Sequence, residues 1–511
     1  VFRDVTLKSS GNRVEGAASV LLQRLGVDHA VVSQPLRPLQ ENPRLRILQR
    51  AILLFAAFLA VMVPSREGSG QSLSEPVVLN DDGAWCWFQD ERCVVIEKWL
   101  YVGSVANGTR APERRGDVEL VAVHRETHER HRYELHDGLE ADDHDVPALW
   151  QRPDGRLLAV YTKHGSEPHF YQRVSDSLAE NGSSSAGPPT EWQPVTSCAP
   201  SPSSRVTYSN LIWLAEERGG QGRLYNFFRG LDNSFKPSWA CSDDWGDTWQ
   251  TGGVVVDVPA KFRHRPYVRY AGNGRDTIHL LYTDGHPRDF DNSVYHVFYR
   301  GGNLHQSDGT VIGPLEKGLS RPEQGTVVFR GDADHVAWVS DIHLDGAGHA
   351  VAVFSVQRGS GGLPSGDPAA GADHRYHYAR WDGRSWQESE IAIGGTRLYP
   401  GEDDYTGNVC LDPQALERVY LSADVDPQTG TPLISPTDSR RHYELFEGTT
   451  RDFGQTWQWT PVTSASTMDN LRPLVPLTDD GRTHLLWFRG SYRTYRDYDA
   501  QVVMLTLPPS R

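Results

Sequence analysis

One pattern recurs seven times along this chain: an apolar strand, a turn rich in Asp, Gly or Pro, then a second strand dense in aliphatic and aromatic residues. The second strands read "LYVGSV" (100–105), "RLLAVYTKHG" (156–165), "RLYNFFRG" (223–230), "TIHLLYTDGH" (277–286), "HAVAVFSVQR" (349–358), "RVYLSADV" (418–425) and "THLLWFRG" (483–490). From Gly103 to Phe488, six steps average about 64 residues, and a fixed period of tens of residues marks a solenoid or a propeller. Strand-only units have edges to hide, and closing seven of them into a ring buries those edges. The expected fold is therefore all-β, a seven-bladed β-propeller over residues 76–508 with no separate second domain. The segment "AQVVMLTL" (500–507) is placed to close the ring with N-terminal residues.

Two Asp-box turns support this independently. "SDDWGDTW" sets Ser242, Asp244, Gly246, Thr248 and Trp249 in the pattern S-x-D-x-G-x-T-W, and "TRDFGQTW" repeats it at Thr450, Asp452, Gly454, Thr456 and Trp457. The Asp side chain ties the turn backbone and Gly takes the positive-φ position. Such turns belong to outer hairpins and speak for fold, not chemistry. With 48 Gly, 15 Trp and 20 Tyr against 3 Met in 511 residues, composition also favours strands and turns over helices.

The N-terminal region reads differently. Arg44, Arg46 and Arg50 precede an uncharged apolar run, Ala51 to Val63, followed by Pro64 and by small residues at Gly68 and Gly70. That run is shorter than the roughly 20 residues a membrane span needs. Residues 44–70 read as a secretory signal cleaved near Gln71. Residues 1–43, with no sustained periodicity, read as an over-extended frame or a disordered leader outside the fold. A secreted or periplasmic protein is expected, with no membrane contact in its mature form.

The formal charge is −15, and residues 1–70 carry nine Lys/Arg against five Asp/Glu, which leaves −19 for the rest. Such an acidic body argues against nucleic acid as a partner. A polyanionic substrate then requires a local basic patch. The five cysteines show no zinc-ligand spacing. Cys86 and Cys93 are spaced to face each other across a tight hairpin, where export would permit a disulfide; buried, unpaired cysteine is the reading for most of the five.

In an antiparallel hairpin the first strand's start and the second strand's end share an edge. First-strand starts supply His144, Tyr208, Arg265, Tyr267, Tyr405 and Arg472; second-strand ends supply Lys163, His164, Arg229, Asp284, His286, Arg288 and Arg489. Taken singly, the tyrosines also read as core aromatics and the arginines as inter-blade partners. Their convergence on one face favours a site. Glycoside hydrolysis usually takes two carboxylates at a fixed separation. A His/Tyr/Arg set suits β-elimination beside a uronic acid, where a cation neutralises the carboxylate, a base takes the C5 proton and an acid protonates O4.

From "NDDGAWCWFQDERCVV" onward, the motifs "DDHDVPAL", "YTKHG", "TYSNLIW", "NFFRG", "RPYVRY" and "YTDGHPRDFDNSVYH" resemble the BNR-repeat propeller family that contains ulvan lyases of polysaccharide lyase families 24 and 25. The resemblance implies that His144 and Tyr208 form the acid/base pair, that His164 supports the site, and that Arg229, with Arg223 as the weaker alternative, neutralises the uronate. It further implies substrate contacts from Tyr267 (or Tyr270) and Arg288, to which the strand-end pattern adds Arg265 and Arg489. The implied activity is metal-independent elimination of an anionic polysaccharide by a monomer, with no cofactor required and a structural metal left open. The alternatives are a rhamnosidase- or sialidase-like hydrolase, although the sialidase "RIP" motif is missing, and a non-catalytic glycan-binding propeller.

Overall fold

The computed structural model describes residues 75–178, 187–257, 265–360 and 363–507. The expected leader (1–43) and signal segment (44–70) lie outside the described residues. Seven antiparallel sheets follow one another along the chain. Blades one to six start with the inner strands Cys93–Ile96, Ala148–Gln151, Thr207–Leu214, Val268–Gly272, His335–Leu344 and Val409–Leu411. Blade seven starts with Asp469–Leu474 and is completed by Val77–Asn80, which pairs antiparallel with Asp497–Leu507. The ring thus closes by joining the first and last described strands in one sheet, as the apolar 500–507 segment foretold. All seven second strands fall where the repeat put them.

Both Asp boxes sit on the outer hairpins of blades three and six. Asp244 accepts from Thr248 N at 2.8 Å and Thr248 Oγ1 at 2.6 Å, and Asp452 does the same for Thr456 at the same two distances. Gly246 has φ +92°, and a Cβ there would stand 2.6 Å from Leu158 of the preceding blade. Trp249 completes that contact, edge-on to Phe170 and bonded to Gln172 Oε1 at 2.8 Å. The box therefore seals one blade against the next.

The ring's centre is filled by its own chain. Segment 84–92 runs along it and touches the inner part of every blade. Ala84 pairs with Val105, Cys86 N donates to Asp143 O, Asp90 N to Ser209 O, and Leu149 N to Glu91 O. Trp87 Nε1 donates to Val339 O at 3.0 Å, and the Trp87 ring stands edge-on to Tyr405. Arg269 and Arg472 donate to the carbonyls of Trp87 and Trp85. These bonds satisfy backbone groups that would otherwise be orphaned in the core. They also correct the disulfide expectation: Cys86 and Cys93 are both free and buried, because the residues between them run through the ring rather than turning back in a hairpin. Among the described residues, no helix is long and apolar enough to cross a membrane.

Candidate active site

At one mouth of the ring, blades two, three, four and seven bring their strand ends together. The loop before blade two forms a short 3₁₀ turn, Asp143–Asp145, capped by Asp142, which accepts from His144 N at 3.1 Å. Asp142 is the hub. Its Oδ1 lies 2.7 Å from His144 Nδ1 and its Oδ2 lies 3.0 Å from His164 Nδ1. One carboxylate thus orients two imidazoles, which stack at 3.8 Å with their planes 10° apart.

Two imidazolium rings cannot share that separation cheaply, so the environment divides the charge. Burial disfavours a charged His144, but Cys86, Asp142, Tyr208 and Asp143 around it prevail and hold its pKa well above the ordinary imidazole value. Asp142 and Asp143 both lie within 2.9 Å of its Nδ1. Burial, the charge on His144 and the cation of Arg229 push His164 the other way, down to about 4, against the pull of Asp142. The resting pair is one imidazolium and one neutral ring.

Tyr208 continues the stack, 5.7 Å from His144 and 26° off its plane. The inner strand of blade three bulges here, since Thr207 faces Arg229 while Asn210 faces Phe227. Tyr208 holds φ +69° in that bulge, a conformation that costs a bulky residue of the order of 1 kcal/mol. The bulge re-aims the side chain. Among the described residues its buried hydroxyl finds no hydrogen-bond partner, and burial, with Tyr267 nearby, raises its pKa well above the ordinary phenol. Tyr208 is therefore a neutral O–H with an open bond.

Arg229 ends the second strand of blade three. Its guanidinium lies 4.9 Å over the Tyr208 ring and donates to Tyr267 Oη at 2.9 Å. It is only 4% exposed, and among the described residues it has no carboxylate partner. A buried cation without a counter-ion is expensive, and an anion is the kind of group that would relieve that cost.

Beyond Tyr267 the arc reaches His286, edge-on to it at 5.4 Å. Burial and the cations Arg265, Arg288 and Arg229 hold His286 well below the ordinary value. Arg288 is tied to Glu402 at 3.0 Å and to Gly401 O at 3.2 Å. His164, His144, Tyr208, Arg229 and Tyr267 are thus brought together, with Arg265 and Arg288 at the far rim.

Other candidates fall elsewhere. Arg489 donates to Gln501 of its own blade at 3.5 Å and does not reach the cluster. Phe488 packs edge-on to Trp85 and tilted against Tyr492, and neighbours in a strand point to opposite faces. Arg223 sits at the other end of its strand, paired with Asp243 at 2.8 Å. Tyr270 stacks on Phe227 at 4.5 Å between blades. Arg472 lies beneath the site, bonded to Asp143 at 2.6 Å.

The sequence pattern missed Asp142, hidden in a polar loop, and the tip of the last hairpin. There Tyr495 stands edge-on to both imidazoles, 5.1 Å from His144 and 5.4 Å from His164, and Arg496 Nε donates to Asp142 Oδ2 at 2.8 Å. Glu402 was missed too. It lies between blades five and six, in no strand.

Two sets, Asp142–His144–His164 and Cys86–Asp143–His144, bring three possible metal ligands within 4.8 Å of one another. Ligands on one tetrahedral zinc, each about 2.0–2.1 Å from the ion, stand about 3.3 Å apart. The Asp142–imidazole distances of 2.7 and 3.0 Å are those of shared protons. A cavity of about 940 Å³ opens on Asp90, Glu91, Asp341 and His343, none of which belongs to this cluster.

Comparison with known proteins is consistent with this architecture. Residues 113–393 match the model of the BNR repeat-containing family, while no curated protein matches the chain in sequence. A solved family-25 ulvan lyase bound to -[GlcA(1-4)Rha3S]- aligns with a TM-score of 0.59 at 13% identity, over 85% of this chain and 98% of its own. The polysaccharide lyase Uly1 aligns with a TM-score of 0.50 at 11% identity, over 85% of this chain and 98% of its own. At these identities the likeness is one of fold.

Proposed function

Because this chain belongs to the BNR repeat-containing family, its match covering more than half of the sequence, and because its propeller presents a buried cation with no carboxylate partner among the described residues, we propose that it is a polysaccharide lyase cleaving next to a uronic acid. The observation that carries this reading is Arg229, held between Tyr267 and the Tyr208 ring that continues the histidine stack.

A uronate carboxylate seated on Arg229 loses its charge penalty and acidifies the C5 proton, since the enolate that forms is stabilised by the same guanidinium. The histidine pair receives that proton. In the resting state the open lone pair is His164 Nε2, because its Nδ1 is committed to Asp142. The His144 imidazolium adds positive charge beside the developing enolate. Tyr208, neutral and with its O–H free of other acceptors among the described residues, hands a proton to the departing O4. The C4–O4 bond breaks, a C4=C5 double bond forms, and one proton enters and one leaves the site's own groups. This division gives His164 the base's part, where the sequence resemblance gave it support. A family-25 relative was solved with a glucuronate–rhamnose 3-sulfate ligand, and an ulvan-type polysaccharide is accordingly our first substrate. The signal-like segment fits an exported enzyme meeting that polymer outside the cell.

The test is incubation with ulvan while following ultraviolet absorbance of the conjugated double bond. Rising absorbance supports elimination. Reducing ends without absorbance would instead favour a hydrolase, and binding without products a lectin.

A further inference from the structure

Blade seven ends in the longest described strands, Thr483–Thr494 and Asp497–Leu507, of 12 and 11 residues. Thr494 pairs with Asp497, so Tyr495 and Arg496 alone form the tip. That length carries the tip over to blade two, where Arg496 Nε meets Asp142 Oδ2 at 2.8 Å and its NH2 lies 3.4 Å from Glu140. The Tyr495 carbonyl is anchored as well, since Asp143 N donates to it at 3.0 Å.

We propose that Arg496 is a positioning residue for the stacked histidines: acting through Asp142, it keeps the proton on His144 and leaves His164 Nε2 as the free lone pair. The proposal rests on the lyase reading for its consequence in catalysis, but not for the proton placement itself.

Asp142 has four acceptor directions and spends all of them. Oδ1 takes His144 Nδ1 and His144 N; Oδ2 takes His164 Nδ1 and Arg496 Nε. The oxygen that faces His144 is therefore free of any cation other than His144 itself. The oxygen that faces His164 is already partly neutralised by a guanidinium. A second proton, on His164 Nε2, would have to be stabilised through an oxygen that Arg496 already partly neutralises, next to the His144 charge 3.8 Å away. Other groups around His164 do not reverse this bias. Arg229 disfavours its proton, Lys163 is paired with Glu167 at 3.4 Å, and Glu140 is engaged by His164 N and by Arg496. Tyr495 covers both rings equally.

The test uses the full chain with labelled histidines, in the wild type and in Arg496→Gln and Arg496→Lys. Nitrogen-detected titration reads His144 and His164 directly, and the pH profile of kcat/KM reads the consequence. In Arg496→Gln, His164 should bind its proton roughly tenfold more tightly, and the acidic limb of the profile should move up in pH with it. Arg496→Lys should restore both. An unchanged His164 titration overturns the proposal. So does a uniform loss of kcat/KM at every pH through a raised KM, which would make Arg496 a substrate contact. A shifted His164 titration in a protein that cleaves no uronate polymer would uphold the positioning role and sink the lyase reading alone.

Discussion

Arg472 and Asp143, 329 positions apart in the chain, form a fully buried ion pair at 2.6 Å that ties the last blade to the loop carrying His144. Tyr492 Oη adds a second bond to the same carboxylate oxygen at 2.5 Å, and Arg472 also holds the carbonyl of Trp85. Arg472 sits at an inner-strand bulge with φ +51°, like Tyr208. Removing one partner strands the other charge in the core, which costs about 3–5 kcal/mol. Arg472→Met should therefore lower the melting temperature strongly. Adding Asp143→Asn should recover part of the loss. Equal melting temperatures for wild type and Arg472→Met would show that the pair contributes nothing.

Tyr208→Phe separates chemistry from packing. The ring keeps its stack on His144 and its place under Arg229, and only an unsatisfied buried hydroxyl is lost. Stability should hold or rise slightly, while turnover falls by about 10²–10⁴-fold. Thermal melts alongside rates of product formation check this. Retained turnover would return Tyr208 to the core.

The repeat was legible because each blade is local: its turn chemistry and strand pattern are written in adjacent residues. The arc from His144 to Tyr267 was legible for the same reason, since strand ends at one edge follow from hairpin geometry. Arg489 was misplaced because side chains alternate, and an edge position does not say which face a residue takes. Tyr495 and Arg496 escaped because their reach depends on the excess length of one hairpin. Segment 84–92 escaped because its partners come from every blade, and nothing periodic marks it.

Asp145 is a buried acid with both oxygens unpartnered among the described residues. Burial first, then the nearby Asp142 and Glu140, raises its pKa well above the ordinary carboxylate. A folded-state pKa above the unfolded one means its contribution is intact below about pH 4 and declines as pH rises towards the folded value. Asp145→Asn should thus melt close to wild type near pH 4 and above it at neutral pH. A difference that shrinks as pH rises would contradict the assignment.

Gly230, which follows Arg229, has φ +110°, and a Cβ there would stand 2.0 Å from the carbonyl oxygen of Arg205. Gly481 has φ +68° with open space around it. Gly230→Ala should cost well over 1 kcal/mol and displace Arg229, whereas Gly481→Ala should cost about 1 kcal/mol or less. Denaturant unfolding of the two variants gives the comparison, and similar costs would show that the Gly230 turn relaxes freely.

Elimination at a uronate held by Arg229 is read out in the oxygen of the products. Cleavage of ulvan in heavy-oxygen water, followed by mass spectrometry, distinguishes the two chemistries. Elimination leaves the new non-reducing end unsaturated and takes no oxygen from solvent into the cleaved bond, and Arg229→Ala should abolish these products. Products that carry solvent oxygen at the cleaved bond and lack the double bond would show hydrolysis and contradict the account.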